Sequence, residues 1–433
     1  MDIAMITSGY MPVPAAMGGG VEALIDNLIR KNEQYGMLQL TVFSIDHPQA
    51  ERLARTIKRT KFIFIKTPRI LRGLDRLIYL AVKQLLRKSK SMSYRYILQR
   101  LHYIAKVSRY LQQNNYGKVI LENNPTLFLV LKRHHNAQKY AGRYYYHLHN
   151  EITHDYGCRP IMAHCQKVIG VSRYIDRQFQ AFLNDFPTKR LDVLRNCIDT
   201  ERFGSADSRL KAEALRWKYH IADDEKVILF TGRLSREKGI RPLLQAYRQI
   251  KLAKTKLVIV GGAFYASDVV SDDEKAFQAL VEPIKQRIVR TGFIHYADMP
   301  AVYSMADIAV LPSMWDDPAP LTVIESMASG LPLVTTLSGG IPEYADPACA
   351  VLLPRDRQFV DRLARTLTQL LTDDLQRKRM ALAGKQMAKH LNIDRYYRDF
   401  VAKLTDQKEG KQHEGRDHYR RDFAGSGRPG RRS

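Results

Sequence analysis

An arginine and a lysine five residues apart carry the clearest chemistry in this chain. In Thr231-Gly232-Arg233-Leu234-Ser235-Arg236-Glu237-Lys238-Gly239, the cations Arg233 and Lys238 follow the apolar run Val227, Ile228, Leu229 and Phe230. That order places both in the loop between a strand and a helix, and in α/β units such loops face ligands. A second stretch, from Leu311-Pro312-Ser313 through Asp317 to Glu325, follows another strand and opens a short helix, with Pro320 near its first turn and Gly330 just past its end. Two cations offset the two charges of a diphosphate. The free amides around Leu321 and Thr322 point at an anion with the helix dipole behind them. Glu325, one to two turns further in, suits the vicinal hydroxyls of a ribose. Asp317, on the loop, suits hydroxyls of a sugar attached beyond the phosphates. Together these residues describe a nucleotide-sugar site.

The elements that must position them follow from alternating periods. Strand-like runs occur at Ile3 to Thr7, Leu40 to Ile45, Phe62 to Ile65, Lys118 to Leu121, Tyr144 to Leu148, Lys167 to Val171 and Leu191 to Leu194. The scheme repeats at Val227 to Thr231, Leu257 to Val260, Ile288 to Thr291, Ile308 to Leu311, Leu333 to Thr336 and Val351 to Leu353. Strands alternating with helices imply an α/β class with a parallel sheet in each half. The expected division is a first Rossmann-like domain over 1–198 and a second over 199–392, with Asn196 to Ser208 as linker. Strand Ile3 to Thr7 leads to Gly18, Gly19 and Gly20, whose backbone can approach a phosphate or sugar closely, with Glu22 in the first turn of the next helix. Strand Tyr144 to Leu148 ends at His149-Asn150, aimed at the same cleft. His147 and His154 lie nearby, and a hydrogen-bonded structural histidine is a competing reading for His149.

At these residues the chain resembles glycosyltransferase family 4, retaining enzymes of the GT-B fold found in bacterial surface-polysaccharide synthesis. Arg233 and Lys238 match the family's phosphate-binding pair, and Asp317 and Glu325 match its paired acids separated by seven residues, with aspartate standing where the first is usually glutamate. Further matching stretches are Gly19-Gly20-Val21-Glu22, Val171-Ser172, Arg195-Asn196 through Phe203, Gly292-Phe293 and Gly339-Gly340-Ile341-Pro342-Glu343. The resemblance implies two Rossmann-like domains facing across a cleft, a closing helix at 393–405 that returns to the first domain, and a role for His149 beside the donor sugar. It implies retention by front-side displacement, no cofactor, a uridine rather than guanosine diphosphate sugar, and a glycan acceptor, lipid-linked in that setting. The competing enzyme reading is a nucleotide-sugar epimerase; the competing non-enzyme reading is a catalytically silent scaffold of the same fold. No two aspartates stand two apart, so no Asp-x-Asp metal site is expected, and cationic stabilisation of the leaving group replaces a metal.

Composition sets the boundaries. The chain has 433 residues, 45% of them hydrophobic, which suits two cores rather than one. No run of eighteen apolar residues appears, and the start, Met1-Asp2-Ile3-Ala4-Met5-Ile6, reads as a first strand; a cytoplasmic protein is expected. Cys158, Cys165, Cys197 and Cys349 show no CxxC spacing and read as reduced structural thiols. Lysine and arginine outnumber acids 69 to 44, a net charge of +25. Residues 51–110 hold seventeen of those cations against Glu51 and Asp75, interleaved with Leu71, Leu74, Leu77, Ile78, Leu80, Val82, Leu85 and Leu86. A basic amphipathic helix reads as a face for an anionic membrane, here the inner face of the cell membrane. A solvated surface is the plainer alternative, and nucleic acid is not expected because no binding motif accompanies the charge. Residues 408–433, basic and almost free of apolar side chains, are expected to be a disordered tail.

Overall fold

The computed structural model describes residues 1–85, 96–262 and 272–405. The first half forms strands β1 (Asp2–Ile6), β2 (Gln39–Ile45), β3 (Thr60–Ile65), β4 (Lys118–Glu122), β5 (Tyr144–Leu148), β6 (Lys167–Gly170) and β7 (Leu191–Val193). All pair in parallel, in the order β3-β2-β1-β4-β5-β6-β7. The second half forms β8 (Lys226–Thr231), β9 (Thr255–Val260), β10 (Ile288–Gly292), β11 (Ile308–Leu311), β12 (Leu333–Thr336) and β13 (Ala350–Leu353), again parallel, in the order β10-β9-β8-β11-β12-β13. Each run expected as a strand overlaps one, and the α/β class with two parallel sheets holds. The runs are near-continuously apolar because helices cover both faces of each sheet. In β1, Ala4 and Ile6 face a core with Tyr103 and Val107, while Ile3 and Met5 face one with Leu24, Leu28 and Phe400.

Strand order fixes where ligands go. In each sheet the direction of winding reverses once, between β1 and β4 in the first and between β8 and β11 in the second. At such a point the loops leaving two adjacent strands diverge to opposite faces and open a crevice at the carboxyl edge. The Gly18–Gly20 loop leaves β1, and the Arg233–Lys238 and Pro312–Asp317 loops leave β8 and β11, so all three border a crevice.

Two sequence expectations need correction. Residues 51–110 are not one basic helix but comprise helices Pro48–Ala54, Arg69–Leu85 and Ile97–Gln113 with β3 among them. The apolar periodicity belongs to Arg69–Leu85, where Ile70, Leu74, Leu77 and Leu80 are exposed and Leu71, Ile78 and Val82 half-buried. Asp75, the lone acid of that helix, is buried and accepts from the amides of Leu98 and Gln99 at 2.9 Å each, capping the next helix. Leu86 lies outside the described residues, as does the basic tail at 408–433. The linker is also shorter than Asn196 to Ser208, because Ser205 caps a helix beginning at Ala206. It is not a loose tether either. Asn196, Cys197 and Ile198 are buried, and Ile198 bridges in parallel to Asn392 on the returning chain.

Helix Ile393–Thr405 then packs on helix Gly20–Tyr35 of the first domain, with Tyr397, Phe400 and Leu404 fully buried and the Tyr397 hydroxyl donating to Asn32 at 2.7 Å. All four cysteines are free and buried.

Candidate active site

The two cationic and acidic motifs of the second domain meet. Lys238 ends a short 3-10 turn, Arg236–Lys238, and Gly239 follows with φ 73°, a conformation that strains any other residue. A Cβ at Gly239 would overlap the Pro312 carbonyl, so the glycine lets the two loops touch. The amide of Met314 donates to the Glu237 carbonyl at 2.7 Å, fixing their register. On the other side, the Gly340 amide donates to the Asp317 carbonyl at 2.9 Å, and a Cβ there would overlap the Pro318 carbonyl. Asp317 is therefore held between two glycine contacts. Its carboxylate, 4% exposed, accepts from the Lys238 ammonium at 2.5 Å, and that ammonium lies 5.7 Å over the Trp315 ring. Arg233, on the same loop, is about half exposed and reaches Glu237 at 3.7 Å.

Helix Leu321–Ser329 begins directly after this loop. Pro320 precedes it, no side chain caps it, and Gly330 ends it in the left-handed conformation. Its first amides, at Leu321 and Thr322, lie at the crevice, and the buried Thr322 hydroxyl has no partner. The hydroxyl of Ser235 and the indole N–H of Trp315 are likewise buried and unpartnered. Orphaned polar groups cost free energy unless a ligand or water engages them, so three of them around one cationic loop mark a binding site. Glu325 is buried one turn into the helix and accepts from the Tyr303 hydroxyl at 2.7 Å, which in turn pairs with Thr231 at 2.8 Å. Burial pushes its carboxyl up to about 7, against the opposing hydrogen bonds from Tyr303 and Tyr296.

The first domain supplies the opposite wall. Gly19 has φ 107°, and Gly20 begins its helix close enough to Leu321 that a Cβ on Gly20 would lie 3.8 Å from the leucine methyl. The glycine loop and the helix N-terminus thus face each other. Glu22 is buried under the loop and accepts from Ser8 at 3.4 Å; burial raises its carboxyl above the usual range.

His149, past the end of β5, is buried against Glu122 at the end of β4 and His147. The His149 Nε2 atom lies 3.4 Å from the Glu122 carboxylate and 3.3 Å from His147 Nδ1, which lies 3.0 Å from the same carboxylate. These three are the one group among the described residues whose ligand atoms sit within 4.8 Å of one another, and hydrogen bonds account for the cluster. Burial would raise the Glu122 carboxyl, but His147 and His149 outweigh it and hold it below the ordinary value. Burial, then His147, lowers His149 to about 4, so the ring is neutral at pH 7. A charged Glu122 can only accept, which puts a proton on Nε2 of His149 and leaves its partnerless Nδ1 as an acceptor. Of the neighbouring histidines, His147 is the structural group, and His154 is hydrogen-bonded to Thr153 instead.

The domains also lock at the cleft's base. Glu343 accepts from the amides of Arg173 and Tyr174 at 2.7 Å each, capping a first-domain helix, and the Tyr344 hydroxyl donates to the Val171 carbonyl at 2.6 Å.

Comparison with solved structures gives HepE of Anabaena in complex with UDP, with a TM-score of 0.69 at 18% identity over 94% of this chain and all of that one. WaaG, a glycosyltransferase involved in lipopolysaccharide biosynthesis, superposes at 0.64. The fold is GT-B. Within it, residues 211–387 match the family described as glycosyl transferases group 1, a span that holds Arg233, Lys238, Asp317 and Glu325. Among relatives, the spore coat protein SA of Bacillus subtilis is 24% identical over 402 residues, 90% of this chain and 94% of that one. The lipopolysaccharide 1,2-N-acetylglucosaminetransferase of Salmonella typhimurium is 25% identical over 297 residues, 67% of this chain and 71% of that one.

Some residues of the GT-B crevice are not legible in sequence. Tyr303 and Glu122 show no local signature, since each acquires its meaning from a partner more than twenty residues away. Trp315 had a signal: it is one of two tryptophans in the chain and sits two positions before Asp317.

Proposed function

We propose that the chain is a metal-independent, retaining glycosyltransferase that moves a sugar from a nucleotide diphosphate donor to a glycan acceptor. The observation that carries this reading is the crevice itself. Lys238 and the unpartnered Ser235 hydroxyl lie on the loop that leaves β8, the uncapped Leu321–Ser329 helix with the unpartnered Thr322 hydroxyl follows the loop that leaves β11, Lys238 joins the two loops through Asp317, and Leu321 lies opposite Gly20. Arg233 and Lys238 neutralise the diphosphate as the glycosidic bond breaks, and the helix amides hold its oxygens. Glu325 receives the ribose hydroxyls. His149 accepts a hydroxyl of the donor sugar through Nδ1, and Asp317 exchanges Lys238 for a sugar hydroxyl once the diphosphate arrives. Loss of the leaving group and attack by the acceptor on the same face retain the anomeric configuration.

A uridine donor is favoured because HepE was solved with UDP and with UDP-glucose, although a mannosyltransferase of Corynebacterium glutamicum related to this chain is GDP-mannose-dependent. The acceptor is read as lipid-linked and the protein as peripheral on the inner face of the cell membrane, in surface-polysaccharide synthesis. The exposed Ile70, Leu74, Leu77 and Leu80 stripe amid Arg69, Arg72 and Arg76 supports that placement. No helix among the described residues is long and apolar enough to cross a membrane. Incubation with a panel of UDP- and GDP-sugars tests the donor reading: slow release of UDP from one UDP-sugar is expected. Absence of any nucleotide release and of UDP binding would refute it.

A further inference from the structure

Arg100 is a cation without a counter-ion. It lies in the first turn of helix Ile97–Gln113, is 7% exposed, and uses one of its donors: Nε gives a hydrogen bond to the Thr126 hydroxyl at 2.7 Å. Both Nη groups are buried with no partner. Burial makes its charge costly to hold, and among the described residues the titratable groups that act on it are the neutral phenols of Tyr10, Tyr156 and Tyr103, with no carboxylate. A guanidinium desolvated in this way destabilises the fold unless something outside the chain completes it.

Its surroundings are built. Asn124 accepts from both the amide and the hydroxyl of Thr126, at 3.1 and 3.0 Å, so the threonine oxygen is turned to receive Arg100. The Tyr10 ring covers one face of the guanidinium at 4.0 Å and is itself 47% exposed, early in the loop that leaves β1. Thr126 follows β4. Arg100 therefore sits at the carboxyl edge of the first sheet, between the two strands where its winding reverses, on the domain across from the donor's phosphates. The preceding residue, Gln99, lines a groove of about 530 Å³ with Arg72, Arg76, Tyr79, Leu80 and Tyr96, beside the exposed apolar stripe.

We infer that Arg100 receives a phosphate group carried by the acceptor, with Tyr10 swinging off the guanidinium to admit it. Two Nη groups in one plane match two oxygens of a phosphate. In the neighbouring groove Arg76 suits a second phosphate or the remaining charge, while Arg72 is already paired with Asp46 at 2.9 Å. The inference rests on the transferase reading for calling the ligand an acceptor, but its binding arm needs no turnover.

The test compares the wild-type protein with Arg100→Met and Arg100→Lys, using two probes in thermal unfolding: inorganic pyrophosphate, and a polyprenyl phosphate in detergent micelles with the parent polyprenol as control. Pyrophosphate also reaches Arg233 and Lys238, so the difference between wild type and Arg100→Met is the readout. At least one probe is expected to stabilise the wild type more than Arg100→Met, with Arg100→Lys between them. Arg100→Met alone is expected to melt no lower than wild type, because it removes an uncompensated buried charge. Selective protection by the polyprenyl phosphate identifies a lipid-borne phosphate; selective protection by pyrophosphate identifies a soluble phosphorylated acceptor. Donor hydrolysis is expected within about twofold of wild type in Arg100→Met, while transfer to the phosphate-bearing acceptor falls about 100-fold. Equal response of wild type and Arg100→Met to both probes overturns the inference, and failure of donor hydrolysis in the wild type would fault the transferase reading instead.

Discussion

In the proposed reaction Lys238 and Asp317 are the pair on which donor binding turns, because the same ammonium that serves a carboxylate in the protein would also serve the diphosphate of the donor. Lys238→Ala is expected to lower kcat/KM for the donor about 100-fold, since a charge-assisted contact in a closed crevice contributes on the order of 2 to 4 kcal/mol. Asp317→Asn is expected to act in the opposite direction on binding alone: free UDP binds several-fold tighter by calorimetry, as Lys238 is no longer shared, while transfer slows. If UDP binds the asparagine variant more weakly than wild type, the exchange is wrong. Glu325 gives a pH dependence with a definite sign. Its carboxyl sits at about 7 against 4.5 for the free group, so between those values the folded chain keeps a proton that the unfolded chain has lost. Its contribution to stability is therefore best below pH 4.5 and is lost as pH rises through 7, whereas its grip on ribose hydroxyls strengthens over the upper part of that window. Glu325→Gln should melt higher than wild type at pH 8 relative to pH 5, and its donor KM should lose the fall that wild type shows through pH 7. The spacing of Arg233, Lys238, Asp317 and Glu325 was readable because each pair lies within one short stretch of chain running from a strand into the following helix. The ion pair between Lys238 and Asp317 was not, because it joins loops leaving two different strands, and neither were the two unpaired Nη groups of Arg100, which depend on its surroundings.

At the scale of elements, the Arg69–Leu85 helix separates two roles that a run of cations confounds in sequence. Its apolar residues at 70, 74, 77 and 80 are exposed, while Asp75 is turned inward to cap the following helix. Leu74→Ser with Leu77→Ser should consequently leave the melting temperature nearly unchanged, as exposed substitutions do, yet weaken sedimentation with vesicles containing anionic lipid. Raising salt should release the wild type, because each cation near the surface contributes about 1 kcal/mol within a Debye length. Wild-type protein that ignores such vesicles at low salt would remove the membrane from the account and leave the donor site untouched. Helix boundaries here escaped the sequence because the periodicity continues across residues 51–110 while the chain breaks into separate helices around β3. The strands were legible for the reason that makes them strands: both faces of each sheet are covered along most strands, so β-branched, aliphatic and aromatic residues run together with few polar interruptions.

At the scale of the molecule, two sheets present their reversal points to one crevice, and the proposed reaction assigns the stabilisation of the leaving diphosphate to side chains and helix amides. Turnover is expected to survive an excess of chelator, and abolition by chelation with rescue by manganese or magnesium would refute the cationic account. The two-sheet architecture was foreseeable from the repeated alternation of strand and helix, and the return of the 393–405 helix from the family resemblance, but the pairing of the two crossings was not. Two crossings, at Ile198 and Asn392, lie side by side as a bridge, and after the second the chain gives its final helix to the first domain. This has a consequence for synthesis. A ribosome delivers β1 to β7 first, but the apolar side of helix Gly20–Tyr35 that Tyr397, Phe400 and Leu404 cover stays bare until β8 to β13 and the helices between them have been made as well. The second domain has no such debt, so the domain translated first is the last to be sealed, and during that interval it is the one exposed to chaperones and to wrong partners.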